Sequence, residues 1–285
     1  MTGHNILEKC RKQYNKILIS KVIMWGCRMK EKSVWEYINN QLAENGAIHF
    51  TLIDPDPLKQ TPEEASDIAK IAENAGTSAI MVGGSTAFDI IDKTVIEIKS
   101  KVKIPVILFP GNVNGISKYA DAIFFMSLIN SRNHYWIIDA QMLAAMAIKR
   151  FNLEPLSMAY LIIEPGATAG FVGDARLIPR NKPLIAAAYA LAAEYFGFKL
   201  VYMEAGSGAA EAITPDFVEV VKKVISIPLI VGGGIKTVER ARKLVRAGAD
   251  ILVQGTFIEK NAKTEKGITA IQDIISAIHE EGKRR

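Results

Sequence analysis

The feature that most constrains the fold is a regular alternation of short apolar runs and amphipathic helical patterns after residue 33. The apolar runs predict strands at 47–53, 78–82, 106–109, 122–126, 159–163, 199–204, 229–231 and 251–254. Helical patterns lie between most of them, at 63–75, 90–99, 136–149, 183–196, 215–224, 238–247 and 268–279. Continuous apolar strands that alternate with helices are typical of a parallel sheet covered by helices. Eight strands favour an α/β fold, a single (β/α)8 TIM barrel, over a doubly wound sheet, whose ligand loop would follow the first strand.

The segment 229–257 carries two successive glycine-bearing turns. Its first apolar run stops at the three glycines 232–234, and its second stops at Gln254, Gly255 and Thr256. Backbone N–H groups approach an anion closely where no Cβ intervenes, and a helix that starts there adds partial positive charge. A TIM barrel places such a phosphate site after strands 7 and 8. We therefore predict a phosphorylated small-molecule ligand; the alternative is that both turns are merely tight.

The net charge of +5 comes entirely from the first 28 residues, which hold six basic residues against one acid, Glu8. Residues 29–285 sum to zero, so we expect no nucleic-acid partner for them. Both cysteines, Cys10 and Cys27, also lie in the first segment. This placement leaves no thiol after residue 28 for catalysis, zinc binding or a disulfide. The absence of cysteine there agrees with a reducing compartment, and we expect a cytoplasmic protein.

We interpret residues 1–28 as a basic extension to a domain at 29–285. The apolar stretch 17–25 is interrupted by Ser20 and Lys21 and precedes no small-residue cleavage site, so it would be a poor secretory signal. A basic arm that contacts membrane or nucleic acid is a second alternative. Our hypothesis is that Met29 is the true start, which N-terminal sequencing of the native protein would test. No apolar run approaches 18 residues, so we expect no transmembrane span.

Polar residues follow three other predicted strands. Asp54 and Asp56 flank a proline after strand 1, where carboxylates suit a hard cation such as Mg²⁺, although Asp-Pro is also ordinary turn chemistry. Ser85 follows two glycines after strand 2 and would either complete a Mg²⁺ shell or cap a helix. Glu204 ends strand 6 before a Gly-Ser-Gly turn, where a carboxylate can take a proton from a substrate hydroxyl and Tyr202 can hydrogen-bond the same ligand. A plain turn is the alternative there.

These motifs together resemble those of a known family. They are LIDPD at 52–56, MVGGS at 81–85, FPGN at 109–112, YLIIEP at 160–165, YMEAGSG at 202–208, VGGGI at 231–235 and QGT at 254–256. The set is similar to that of the archaeal geranylgeranylglyceryl phosphate synthases and the related bacterial heptaprenylglyceryl phosphate synthases. The resemblance runs from about residue 34 to 282, with motifs at seven strand ends in the same order.

The resemblance implies a TIM barrel that joins sn-glycerol 1-phosphate to geranylgeranyl diphosphate, which is the first ether-bond step of archaeal membrane phospholipid biosynthesis. It implies Mg²⁺ as the cofactor, bound by Asp54 and Ser85. From the chemistry of the site we expect Glu204 and Asp54 to be catalytic, with Glu204 either orienting or deprotonating the attacking hydroxyl. The resemblance also implies a set of residues that bind glycerol phosphate: Tyr202, Met203, Glu204, Ala205, Gly206, Ser207, Gly208, Gly233, Gly234, Gly255 and Thr256. The family usually has Asn at the last of these positions, and we expect the Thr256 hydroxyl to replace it with a small effect.

The prenyl chain requires an apolar groove, which we expect near the aromatic residues Phe109, Tyr119, Phe125, Tyr135 and Trp136, with the loop 164–182 as its cover. Those rings could instead belong to the core or to a subunit interface. The resemblance also implies a homo-oligomer, a dimer or a hexamer, whose only membrane contact would be peripheral, through the lipid product. Three alternatives stay open: the same chemistry with another prenyl length, a phosphosugar-type isomerase or synthase on the same barrel, and a binding protein without catalysis.

Overall fold

Eight parallel strands close into a barrel in the computed structural model, which describes residues 33–84 and 90–285. The strands are β1 Ile48–Ile53, β2 Ala79–Val82, β3 Val106–Leu108, β4 Ala122–Leu128, β5 Glu154–Ile162, β6 Leu200–Glu204, β7 Leu229–Gly232 and β8 Ile251–Gln254. Each strand pairs with its neighbour in the chain, and β8 pairs with β1, with Phe50 opposite Val253. The predicted TIM barrel is therefore confirmed. The proposed extension at 1–28 and the predicted metal ligand Ser85 lie outside the described residues.

The α-helices of the described residues pack around the barrel, and a 3-10 turn at Val113–Gly115 and a π-helical turn at Tyr135–Asp139 lie in its loops. The α-helices are α1 Val34–Asn45, α2 Pro62–Asn74, α3 Ile91–Lys101, α4 Ala140–Phe151, α5 Ala167–Val172, α6 Pro183–Tyr195, α7 Pro215–Lys222, α8 Val238–Arg246, α9 Thr256–Asn261 and α10 Glu265–Gly282. Within the described ranges, no helix is long and apolar enough to cross a membrane.

Alternate residues of each strand point to opposite sides of the barrel wall. Ile48 and Phe50 of β1 join the cluster that fills the interior, whereas Ile53 packs against the helices. His49 also faces the helices: its Nδ1 lies 2.9 Å from the Thr77 hydroxyl. His49 is fully buried and packs in the layer between the barrel and the helices.

Helix α1 closes the end of the barrel at which the strands begin. Its Val34 and Ile38 belong to the interior cluster. Glu154, at the start of β5, accepts the N–H groups of Val34 at 2.7 Å and Trp35 at 3.0 Å. This carboxylate supplies partners for two donors that a helix start leaves unpaired. Because this end is filled, ligands reach the barrel from the other end, where the strands finish.

Three elements differ from the sequence expectation. Strand β5 begins at Glu154 rather than at the predicted residue 159, and its first half pairs with β4. The prediction missed this half because polar residues and a proline interrupt the apolar pattern there. The loop 164–182 contains the short helix α5, and β8 is followed directly by the short helix α9. Six residues are too few to show a helical period, so neither helix was predicted.

Candidate active site

Glu204 ends strand β6 and is buried, with 7% of its surface exposed. The hydroxyl of Tyr202 donates to Oε2 at 2.7 Å, and the N–H of Gly206 donates to Oε1 at 2.6 Å. Burial raises the pKa of Glu204 above its ordinary value, although both hydrogen bonds oppose that shift. Burial also raises the pKa of Tyr202 well above its usual range, so its hydroxyl stays protonated and keeps donating. The arrangement fixes a carboxylate that is suited to take a proton from a hydroxyl.

The glycines that follow β7 make room for this carboxylate. A Cβ on Gly232 would lie 2.6 Å from Oε2 of Glu204, and a Cβ on Gly233 would lie 2.5 Å from Oε1. Both distances are far inside van der Waals contact. Gly233 and Gly234 also have positive φ values, 84° and 70°, which side chains rarely adopt. The glycine turn predicted for phosphate binding therefore also leaves the space that the Glu204 carboxylate occupies.

One cavity joins the two glycine turns, and its wall confirms that most of the predicted residues lie together. They are Tyr202, Glu204, Ser207, Gly208, Gly233, Gly234, Gly255 and Thr256. The hydroxyls of Ser207 and Thr256 lie 3.0 Å apart, which links the turn after β6 to the start of α9. Thr256, which stands where the family usually has Asn, thus has a hydroxyl at the cavity wall. We call this cavity the phosphate cup.

Three residues of the predicted segment 202–208 contribute differently. The side chains of Met203 and Ala205 pack in the layer between barrel and helices, because odd-numbered residues of β6 point outward. Any contact of these two residues with the ligand would therefore go through their main chain, and their part in binding glycerol phosphate stays a prediction. Gly206 donates its N–H to Glu204, and a Cβ there would meet Ala167 of α5 at 2.7 Å.

Sequence reasoning missed three polar residues of the cup, Lys236, Lys260 and Asn261. Lys236 follows the glycine turn by two residues, which was an available signal. The other two lie on α9, which was not predicted. Two lysine side chains at a cavity lined by glycine turns agree with an anionic ligand.

Asp54 directly follows β1 and lies at the centre of a second group of charged residues. Its Oδ2 accepts from the Lys59 ammonium at 2.5 Å, and its Oδ1 is buried without a hydrogen-bond partner among the described residues. Gly84 leaves the space beside it, since a Cβ there would lie 2.3 Å from Oδ1. Burying a carboxylate oxygen without a partner costs free energy. Asp54 Oδ1 therefore suits a place where a bound cation would supply the missing partner.

Glu259 of α9, which the sequence did not single out, reaches the main chain of Asp54. Its Oε1 accepts the Asp54 N–H at 3.1 Å. Burial raises the pKa of Glu259, and the negative charge of Asp54 adds to the shift, while hydrogen bonds and Lys59 oppose it. The loop after β1 and the helix after β8 are therefore joined at this point.

A second cavity is almost entirely apolar and lies beside the first. Phe109, Phe125 and Trp136 line it, as predicted for the groove, and Ala169, Val172 and Gly173 of the predicted cover do so too. Two expected rings lie outside the lining. Tyr119 is exposed beside Lys118, and the Tyr135 hydroxyl donates to Asn112 Oδ1 at 2.6 Å. We call this cavity the apolar groove.

Aromatic rings connect the two cavities. The ring centroids of Tyr202 and Tyr160 lie 5.1 Å apart, and those of Tyr160 and Phe109 lie 5.5 Å apart. Tyr202 lines the phosphate cup, whereas Tyr160 and Phe109 line the apolar groove. A polar ligand in the cup and an apolar ligand in the groove would therefore meet near Glu204.

Comparison with known proteins agrees with this geometry. The model of the PcrB family matches residues 40–275. Geranylgeranylglyceryl phosphate synthase of Thermococcus kodakarensis is 54% identical over 248 residues, which cover 86% of this chain and 97% of the relative. The enzyme of the same name from Methanosphaera stadtmanae is 52% identical, and the match covers 85% of this chain and 99% of that relative. This chain also resembles a crystal structure of (S)-3-O-geranylgeranylglyceryl phosphate synthase from Thermoplasma acidophilum in complex with its substrate sn-glycerol-1-phosphate. The two superpose with a TM-score of 0.82 at 45% sequence identity, and the match covers 87% of this chain and 99% of that one. The chain therefore belongs to the geranylgeranylglyceryl phosphate synthase family.

Proposed function

We propose that the chain is a magnesium-dependent prenyltransferase that joins sn-glycerol 1-phosphate to geranylgeranyl diphosphate. The glycerol 3-hydroxyl oxygen bonds to C1 of the prenyl chain, the bond from C1 to the diphosphate oxygen breaks, and diphosphate leaves with that electron pair. One observation carries the proposal: buried Glu204 lies where the phosphate cup and the apolar groove adjoin. The names of the relatives and the substrate in the Thermoplasma acidophilum complex support the same chemistry.

The phosphate of the acceptor would occupy the cup. The glycine turns after β7 and β8 present backbone N–H groups there, and Lys236 and Lys260 add positive charge. The Ser207 and Thr256 hydroxyls are further donors at the wall. With its phosphate fixed in the cup, the glycerol end of the molecule extends toward Glu204.

Glu204 would receive the proton of the attacking hydroxyl. Its raised pKa makes it a stronger base than an exposed carboxylate, and Tyr202 and Gly206 hold it in one orientation. A positioned general base contributes about 10²- to 10⁴-fold to the rate of a proton transfer. The neighbouring aromatic rings of Tyr160 and Phe109, which meet edge to face, would suit the positive charge that develops on an allylic carbon.

Asp54 would bind Mg²⁺ through its unpaired Oδ1, together with Ser85 as the family resemblance implies. No group of three or more potential protein ligands occurs among the described residues, so diphosphate oxygens and water would complete the shell, as Mg²⁺ commonly allows. The bound ion would neutralise charge on the departing diphosphate. We propose it as the cofactor on this basis.

The prenyl chain would lie in the apolar groove beneath α5. Its lining includes Phe109 and Ile148 of α4, and a 20-carbon chain is our choice of donor because the protein resembles the archaeal synthases. A phosphosugar isomerase would have no use for this groove, which favours the synthase. A donor of another length remains the second candidate, since the same apolar lining accepts any prenyl chain that fits.

We also propose that the protein is a cytoplasmic homo-oligomer, a dimer or a hexamer. Two helices and the residues next to them expose apolar side chains that a second copy would cover. They are Met142, Leu143 and Met146 of α4 with Ile138 before it, and Leu184, Ile185 and Tyr195 of α6 with Phe196 after it. Contiguous exposed apolar surface is typical of protein interfaces. Light scattering coupled to size-exclusion chromatography would give the number of copies, and a monomer at micromolar concentration would contradict the proposal.

The deciding experiment incubates the purified protein with sn-glycerol 1-phosphate, Mg²⁺ and prenyl diphosphates of 10 to 35 carbons, and follows the ether product by mass spectrometry. We expect the product with the 20-carbon donor, loss of it with EDTA, and recovery with added Mg²⁺. Asp54→Asn should abolish the Mg²⁺-dependent reaction. No ether product with any donor would refute the synthase, and turnover that persists in EDTA would refute the metal requirement.

A further inference from the structure

Helix α9 belongs to both halves of the site. It begins at Thr256 in the phosphate cup, and one turn later it carries Glu259 toward Asp54. A helix that lines the proposed site of one substrate and contacts the proposed site of the other would hold the two in a fixed relation. Nothing in the family motifs points to Glu259, because those motifs stop at residue 256.

The main chain of Asp54 is clamped by two side chains. Glu259 Oε1 accepts the Asp54 N–H at 3.1 Å, and the Gln60 amide donates to the Asp54 carbonyl oxygen at 2.8 Å. The same amide nitrogen of Gln60 also lies 3.4 Å from Glu259 Oε1. Glu259 and Gln60 therefore form one hydrogen-bonded unit around a single residue.

The clamp lies where strand pairing no longer holds the chain. Asp54 comes directly after the last residue of β1. Its own carboxylate has one partner among the described residues, Lys59 on an exposed part of the loop. The direction of Oδ1 therefore depends on the orientation of the Asp54 main chain, which the clamp sets.

Placing a carboxylate against another acidic residue costs electrostatic energy. The geometry nevertheless holds Glu259 beside Asp54, in the one region where a divalent cation is expected. That placement points to a role tied to the site.

We infer that Glu259 is a positioning residue that aims the Asp54 carboxylate at the metal. The inference deepens the proposed function and rests on it, since it presumes that Asp54 binds a divalent ion. Glu259 acts through the Asp54 main chain and does not contact either substrate's reacting atoms.

The test measures Mn²⁺ binding by electron paramagnetic resonance with inorganic diphosphate present, since its oxygens would complete the metal shell, and measures glycerol phosphate binding by calorimetry as an independent readout. We expect Glu259→Ala to weaken Mn²⁺ about ten-fold and to leave glycerol phosphate binding within about two-fold. Glu259→Gln keeps an acceptor for the Asp54 N–H and should restore most of the Mn²⁺ affinity. Gln60→Ala removes the other half of the clamp and should weaken Mn²⁺ in the same direction.

Glu239→Ala, which changes an exposed glutamate of α8, is the matched control and should bind both ligands as the wild type does. Equal Mn²⁺ affinity in wild type, Glu259→Ala and Gln60→Ala would overturn the inference while leaving the metal site intact. Equal weakening of both ligands by Glu259→Ala, without rescue by Gln, would show a general structural effect and would also overturn it. A wild type that binds no Mn²⁺ would refute the metal site itself, and the inference with it.

Discussion

Gly233 and the carboxylate of Glu204 share one small volume: a Cβ on the glycine would lie 2.5 Å from Oε1 of the acid. The turn that we propose for phosphate binding and the proposed base Glu204 therefore depend on each other sterically. Gly233 sets where the Glu204 carboxylate lies, besides its proposed role in binding the acceptor's phosphate.

This relationship predicts that Gly233→Ala abolishes turnover by displacing Glu204. Gly197 provides a matched control, because it has the same φ of 84° but no atom within 4 Å of its Cβ position. Both substitutions should cost about 1–2 kcal/mol of stability from backbone strain. Only Gly233→Ala should lose activity. Steady-state kinetics with thermal unfolding would check this, and equal activity in the two variants would contradict it.

Glu204→Gln should lower kcat by about 10²- to 10⁴-fold, because the amide cannot take a proton, and it should leave glycerol phosphate bound. Tyr202→Phe is the graded comparison. It removes one of two hydrogen bonds to the carboxylate but leaves the Gly206 N–H in place, so kcat should fall less. Calorimetry and single-turnover rates measure the two effects. Unchanged turnover in Glu204→Gln would remove this residue from the mechanism.

The apolar groove should set donor length. Ala169 of α5 lines it, and Ala169→Phe places a ring in that space. We expect the variant to prefer shorter prenyl diphosphates, because the longer chain no longer fits, while the KM for glycerol phosphate stays the same. Ala169→Ser changes the volume little and is the control. A variant whose product lengths match those of the wild type would place the chain elsewhere.

Stability should fall between pH 6.5 and 5, above the range in which most carboxylates titrate. His49 is fully buried, and burial first, then the nearby His279, lower its pKa to about 3. Burial and Lys283 lower the pKa of His279 as well. Because the folded pKa of His49 lies below the unfolded value near 6.5, the unfolded state binds the extra proton and gains population as pH falls.

The expected contribution of His49 is about 2 kcal/mol of unfolding free energy lost between pH 6.5 and 5, and more as pH falls toward 3. Urea unfolding at several pH values would measure it. His49→Gln removes one of these two imidazoles and should weaken the dependence of the unfolding free energy on pH between pH 6.5 and 5. A slope identical to that of the wild type would show that His49 is not the source.

Much of the fold could be predicted from the sequence. The strands appear as apolar runs because they are buried on both faces, and the longer helices show a helical period of apolar residues because they pack on the barrel. Strand β5 was cut short because Glu154, Pro155 and Ser157 break the apolar pattern there. Glu154 serves instead as the cap for α1, a role defined by residues 120 positions away. Helices α5 and α9 escaped prediction because each spans six residues and gains its stability from the barrel beneath it.

The sequence alone determined the barrel, the order of the site motifs and the residue types that phosphate and proton transfer require, because these depend on local periodicity and on the chemistry of single side chains. The tertiary structure decided which of those residues face the ligand: Met203 and Ala205 turn outward while Tyr202 and Glu204 turn in. It also decided that Glu259 meets Asp54 across 205 residues of chain. Such relations arise only when the barrel closes and brings β8 beside β1, and no local pattern encodes them.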